Sequence, residues 1–119
     1  MKAANLNRLI LIEASKRGHR LFINARGTGW VGGKTTRNRD GTVTLVGATR
    51  MDFGLGPDGA SDLIGWCKDG VFAAVETKTA NDKIREGQPE FIEAVRKAGG
   101  RAGFAWSVED AIAILEPIV

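Results

Sequence analysis

Two strand-like runs, Asp62–Cys67 and Val71–Thr79, are separated only by Lys68-Asp69-Gly70. A connection that short, ending in glycine, calls for an antiparallel hairpin. Alternation along the second run puts Phe72, Ala74, Glu76 and Lys78 on one face and Val71, Ala73, Val75 and Thr77 on the other. The turn then decides the register. A three-residue loop with Gly70 left-handed pairs Cys67 with Val71 and sets Asp62 opposite Glu76, whereas a two-residue loop sends Asp62 to the other face. In the first register the two carboxylates start about 5 Å apart at Cβ, close enough to share one hard cation.

Upstream, Leu6, Leu9 and Ile10 mark one face of an amphipathic helix over residues 6–17, closed by Gly18, and Glu13 intrudes on that face. Arg20–Ala25 reads as a strand. The Gly-, Thr- and Arg-rich stretch from Gly27 to Gly59 predicts two short strands, near Trp30–Thr35 and Thr42–Val46, joined by a turn at Asn38-Arg39-Asp40-Gly41. The run Gly54–Gly59 lacks the GK[ST] ending of a phosphate loop and leads into a strand. Pro89 opens a helix through Phe91, Ile92 and Val95 to Gly99-Gly100. Arg101–Trp106 is a last strand, and Ser107 with Asp110 caps a helix over Val108–Leu115. This order predicts one mixed α/β domain over residues 1–119, a mostly antiparallel central sheet flanked by helices.

The 119 residues are 43% hydrophobic and 26% charged, which excludes a disordered tail. No apolar run approaches the roughly 20 residues that span a bilayer, and the N-terminus does not read as a secretory signal, so a cytoplasmic protein with no membrane partner is expected. One cysteine and one histidine exclude an intrachain disulfide and the usual zinc ligand sets. Any metal should therefore be held by oxygen. Residues 1–50 carry ten Lys/Arg against two acids, a net +8, and the remainder is −5, although the chain is only +3. A polyanion-binding surface and an unevenly solvated one both fit this asymmetry.

Two carboxylates holding Mg²⁺ or Mn²⁺ beside a lysine form a machine for hydrolysing phosphodiesters. Glu13 offers a third carboxylate. Gln88 precedes Phe91, Ile92 and Val95 by helical spacings, so it faces the sheet and is placed to donate to water, lysine or phosphate. Glu76-x-Lys78 alone is equally the pattern of an ordinary exposed ion pair. Lys34, Arg37, Arg39 and Arg50 flank turns from which they can reach phosphates, and Trp30 among them can stack on bases; solubilising charges and a packing tryptophan would look the same. His19 reads as a surface residue, Trp66 and Trp106 as core, and Cys67 as a small strand residue.

Glu13, Gly59-Ala60-Ser61-Asp62-Leu63-Ile64-Gly65, Glu76-Thr77-Lys78, Gln88-Pro89-Glu90-Phe91-Ile92, Gly99-Gly100 and Ser107-Val108-Glu109-Asp110-Ala111 resemble, in order, the stand-alone viral or prophage form of the virus-type replication-repair nuclease (VRR-NUC) domain, of the PD-(D/E)XK nuclease superfamily. Ser61 stands where the superfamily name expects proline. The resemblance implies a restriction-endonuclease-like core and a Mg²⁺- or Mn²⁺-dependent DNA endonuclease. It makes Asp62, Glu76 and the Thr77 carbonyl metal ligands, Lys78 the catalytic lysine, and Glu13 and Gln88 supporting residues. It further implies branched DNA such as four-way (Holliday) junctions as substrate, a homodimer, and a host cytoplasm if the gene is phage-borne. A non-catalytic nucleic-acid-binding module and an RNA-directed nuclease are the alternatives.

Overall fold

A computed structural model describes residues 1–118. The chain forms two compact units, one from residues 1–24 and 56–119 and one from the intervening residues 25–55. The main unit contains α1 (Ala3–Lys16), β1 (Arg20–Ile23), β6 (Leu63–Trp66), β7 (Phe72–Thr77), α2 (Gln88–Lys97), β8 (Arg101–Ala105) and α3 (Val108–Leu115). The inserted unit contains β2 (Gly27–Val31), β3 (Lys34–Arg37), β4 (Val43–Val46) and β5 (Thr49–Phe53). The main sheet runs β1-β6-β7-β8, antiparallel except for the parallel pair β7–β8, which α2 connects. This is the mixed α/β architecture expected. No helix of the described residues is long and apolar enough to cross a membrane.

The two faces of this sheet bury different helices. Leu6, Ile10 and Ala14 of α1, with Ala111 and Leu115 of α3, pack on Leu63, Ala73 and Val75. On the opposite face, Ile92 and Val95 of α2 pack on Ile64, Ala74 and Ala102. The apolar stripe of α1 runs at i, i+4, i+8, which leaves Leu9 exposed rather than buried as its spacing suggested. Trp66 and Trp106 are also exposed and are not core; Trp66 instead stacks at a tilt on Phe22, ring centroids 5.5 Å apart. His19, expected at the surface, is buried. Its Nε2 lies 2.6 Å from Glu116 Oε2 and its Nδ1 accepts from the Lys68 N–H at 2.9 Å, so it ties the hairpin loop to the end of α3.

The β6–β7 hairpin takes the three-residue loop. Trp66 pairs with Phe72 and Leu63 with Val75, the Cys67 N–H donates to Val71 O at 2.8 Å, and Gly70 has φ +84°. Extending that register sets Asp62 opposite Glu76. A side chain at Gly70 would meet no neighbour, so a substitution there is resisted by backbone conformation alone. Gly70→Val should destabilise the main unit by about 1–2 kcal/mol or more, read as a lowered urea midpoint.

The inserted unit differs from expectation. Every pair from Gly27↔Phe53 through Val31↔Thr49 to Lys34↔Val46 and Arg37↔Val43 keeps one register, so the unit is a single long hairpin closed by Arg39-Asp40-Gly41. Its ladder is interrupted at Gly32-Gly33, both with positive φ, in the middle of the strand expected over Trp30–Thr35. The strand Thr49–Phe53 was missed because Arg50 and Asp52 mask the alternation of Thr49, Met51 and Phe53.

Candidate active site

Asp62 precedes β6 and Glu76 lies near the end of β7, so the hairpin itself brings them together. The Asn24 N–H donates to Asp62 O at 2.7 Å, continuing the β1–β6 register, and Asn24 Nδ2 donates to Ser61 O at 3.2 Å. Thr77 Oγ1 donates to Asp62 Oδ2 at 2.9 Å. The aspartate is therefore fixed from both neighbouring strands.

Glu76 is 3% exposed, and its Oε2 is buried without a hydrogen-bond partner among the described residues. Burial, reinforced by the Asp62 carboxylate through hydrogen bonding and charge, pushes its pKa from 4.5 up to about 8, against a smaller pull from the Lys78 ammonium. A buried carboxyl oxygen without a partner among the described residues, beside a second carboxylate, is a site that a cation would complete. The donor set fits a hard divalent cation such as Mg²⁺ or Mn²⁺.

Lys78 is 4% exposed. Its Nζ donates to Gln88 Oε1 at 2.7 Å and to Lys83 O at 2.9 Å, and it lies 6.0 Å from the Phe104 ring centroid. Two of the three ammonium protons are thus engaged, which fixes the nitrogen in place. Gln88 faces the sheet as its helical spacing required, but its Oε1 accepts, from Lys78 and from the Arg85 N–H at 2.8 Å, where donation was expected. Two ammonium and amide donors converging on one atom leave only the carbonyl oxygen to meet them.

Gln88 reaches the sheet because the backbone lets it. Gly87, left-handed with φ +90°, opens α2, and Gly59 lies against it so closely that a Cβ on Gly59 would fall 2.2 Å from Gly87 O. The glycine-rich run before Asp62 therefore serves a close backbone approach that carries the aspartate segment to the start of α2.

Glu13 does not join this group. The tight connection through Gly18 runs α1 antiparallel to β1, which places Glu13 toward the hairpin-loop end, and α1 packs on the sheet face opposite Glu76 and Lys78. Its carboxylate accepts from Arg17 Nε at 3.1 Å, and it lines a cleft with Val108, Glu109 and Ile112. No group of three or more His, Cys, Asp or Glu side chains placed to hold a metal occurs among the described residues, so the carboxylate site is a pair. Trp30, Lys34, Arg37, Arg39 and Arg50 are all exposed and all belong to the inserted unit, Trp30 directly across from Arg50. Sequence reasoning missed the Lys83 carbonyl, which as a backbone atom leaves no trace in residue type. It also missed Asn24, which extending the β1–β6 register would have found.

The model of the VRR-NUC domain family matches residues 8–109 of the chain. No curated protein matches it.

Proposed function

From the premise that this chain belongs to the VRR-NUC family, a nuclease family, we propose that it is a Mg²⁺- or Mn²⁺-dependent DNA endonuclease whose ligands are Asp62, Glu76 and the Thr77 carbonyl. The observation that carries this reading is the buried Glu76 Oε2, without a partner among the described residues, beside Asp62 and with a fixed ammonium two residues on. When bound, the divalent ion supplies charge neutralisation at the phosphate and a water of lowered pKa. Asp62 and Glu76 are the residues that would hold it, Glu76 in its ionised form. Lys78, anchored by Gln88 and Lys83 O, directs its remaining N–H at the attacking water or a phosphate oxygen. Gln88 is a positioning residue that acts through Lys78.

Branched DNA, including four-way junctions, is the proposed substrate, and a homodimer the proposed assembly, acting in the cytoplasm. One chain offers one site, and two strands are cut symmetrically by two copies, most simply related by a two-fold axis. The substrate class is tested by incubating the protein with labelled linear, flap and four-way DNA, and with matched RNA, in Mg²⁺ or Mn²⁺. Metal-dependent cleavage of branched DNA is expected, and cleavage confined to RNA would overturn the assignment.

Trp30, Lys34, Arg37, Arg39 and Arg50 are proposed to bind the nucleic acid. Affinity should then fall steeply with salt. Neutralising Arg37 and Arg39 together should reduce the slope of log K against log[salt] by about 2, measured by fluorescence anisotropy. An unchanged slope would make them solubilising charges.

A further inference from the structure

The connection from β7 to α2 is pinned to the candidate site by its main chain. Straight after Lys78, the Asp82 side chain accepts from the Thr79 N–H at 2.6 Å and from Thr79 Oγ1 at 2.8 Å, and the Asp82 N–H donates to Thr79 O at 3.0 Å. Such an aspartate closes a tight turn by bonding its local backbone. Lys83 O then accepts from Lys78 Nζ at 2.9 Å. The Arg85 N–H donates to Gln88 Oε1 at 2.8 Å, the same oxygen that holds Lys78. Lys83 and Arg85 are therefore each fixed, by a main-chain atom, to one member of the Lys78–Gln88 pair.

Their side chains add nothing to that anchorage. Both are exposed, and neither side chain makes a hydrogen bond or a short ion pair among the described residues. Ile84 between them is 50% exposed, so no apolar layer covers this part of the loop. Asp82, the acid next to Lys83, is committed to Thr79. Those hydrogen bonds hold its carboxyl below the usual carboxylate range, and the charges of Lys78 and Arg85 act in the same direction. Two cations on an already ordered main chain can receive an anion with less further ordering than cations on a loose one.

We propose that Lys83 and Arg85 bind the phosphates that flank the bond being cut, so that the loop after β7 sets which bond of the strand faces Lys78. The inference rests on the nuclease reading above and adds a binding site to it within the main unit. Charge supports the occupant. With a divalent ion offsetting Asp62 and Glu76, Lys78 is the one ammonium directed at the reacting phosphate, while a strand brings a further negative charge on each side of it. The loop supplies two cations with no short ion partner, their main chain bonded to the group that does the chemistry. Contacts of this kind fix register on the strand and carry no base sequence. A strand held by Lys83 and Arg85 also restrains the Lys83 carbonyl and the Arg85 N–H, and through them the position of Lys78.

Lys83→Ala and Arg85→Ala test this cleanly, because the carbonyl and the N–H that serve the anchor survive both substitutions. Each should weaken binding of a labelled four-way DNA in chelator by about tenfold, read by fluorescence anisotropy, and lower the slope of log K against log[salt] by about 1. In Mg²⁺ each should raise KM by a similar factor with kcat within about twofold, the signature of lost uniform binding. Urea midpoint and Mn²⁺ affinity should not move, and Glu86→Gln, at the exposed acid next in the chain, should not raise KM. DNA carrying one neutral methylphosphonate beside the cleaved bond locates the contact: it should bind the wild type about tenfold more weakly than natural DNA, and the variant that has lost the facing cation no more weakly. Unchanged affinity and salt slope in both variants would overturn the proposal, as would a fall in kcat or in Mn²⁺ affinity at unchanged KM, which would make the loop structural. A wild type that binds DNA through these residues without cleaving it would fail the nuclease reading alone, since the chelator measurement needs no turnover.

Discussion

Glu76→Gln and Asp62→Asn should each reduce DNA cleavage by about a thousandfold or more at saturating Mg²⁺ or Mn²⁺, with circular dichroism unchanged. Each replaces an anionic ligand with a neutral amide of the same shape, so the site loses charge while the packing survives. Lys78→Met should do comparable damage by a different route: the metal would still bind, but the group directed at water or phosphate would be gone. Glu13→Gln should cleave normally, because its carboxylate serves an ion pair with Arg17 on the far face of the sheet. Near-normal cleavage by either carboxylate variant would refute the assigned roles.

The metal-free protein should become less stable as pH rises from 5 to 8. The Glu76 carboxyl, ordinarily near 4.5, titrates at about 8 in the fold. Below pH 4.5 folded and unfolded chains both hold its proton and the group contributes no pH dependence. Between 4.5 and 8 the folded chain retains a proton the unfolded chain releases, so unfolding is favoured progressively. Above 8 the effect levels off, after a total loss on the order of a few kcal/mol. Urea unfolding in chelator should show this decline, and Glu76→Gln, with nothing to ionise, should abolish it and be the more stable protein at pH 8. A wild type whose stability does not fall over this range would mean that Glu76 is not held protonated by its surroundings.

The parts of this molecule legible in sequence are those in which one local signal fixes the geometry. Lys68-Asp69-Gly70 set the register that joins Asp62 to Glu76, and the spacing of Gln88 to Ile92 and Val95 turned Gln88 toward the sheet. Helical periodicity was less decisive for Glu13. It placed that residue beside a buried stripe, but not on which side of the sheet the stripe would pack, and that depends on the tight connection into β1. The tryptophans misled for a related reason, because hydrophobicity favours burial while α2 packs on β7 and β8 and leaves Phe22 and Trp66 beyond its reach. In the inserted hairpin, consecutive glycines divided a ladder whose pairing nonetheless continued beyond them.

The central claim is that Asp62 and Glu76 together hold one divalent cation. Isothermal titration of Mn²⁺ into the metal-free protein at pH 8 tests it without DNA or turnover. One site per chain should appear in the wild type, persist in Lys78→Met and Glu13→Gln, and vanish in Asp62→Asn and Glu76→Gln. Its affinity should weaken as pH falls below about 8, where the proton on Glu76 competes for the same oxygens. Undiminished Mn²⁺ affinity in both carboxylate variants would contradict the account.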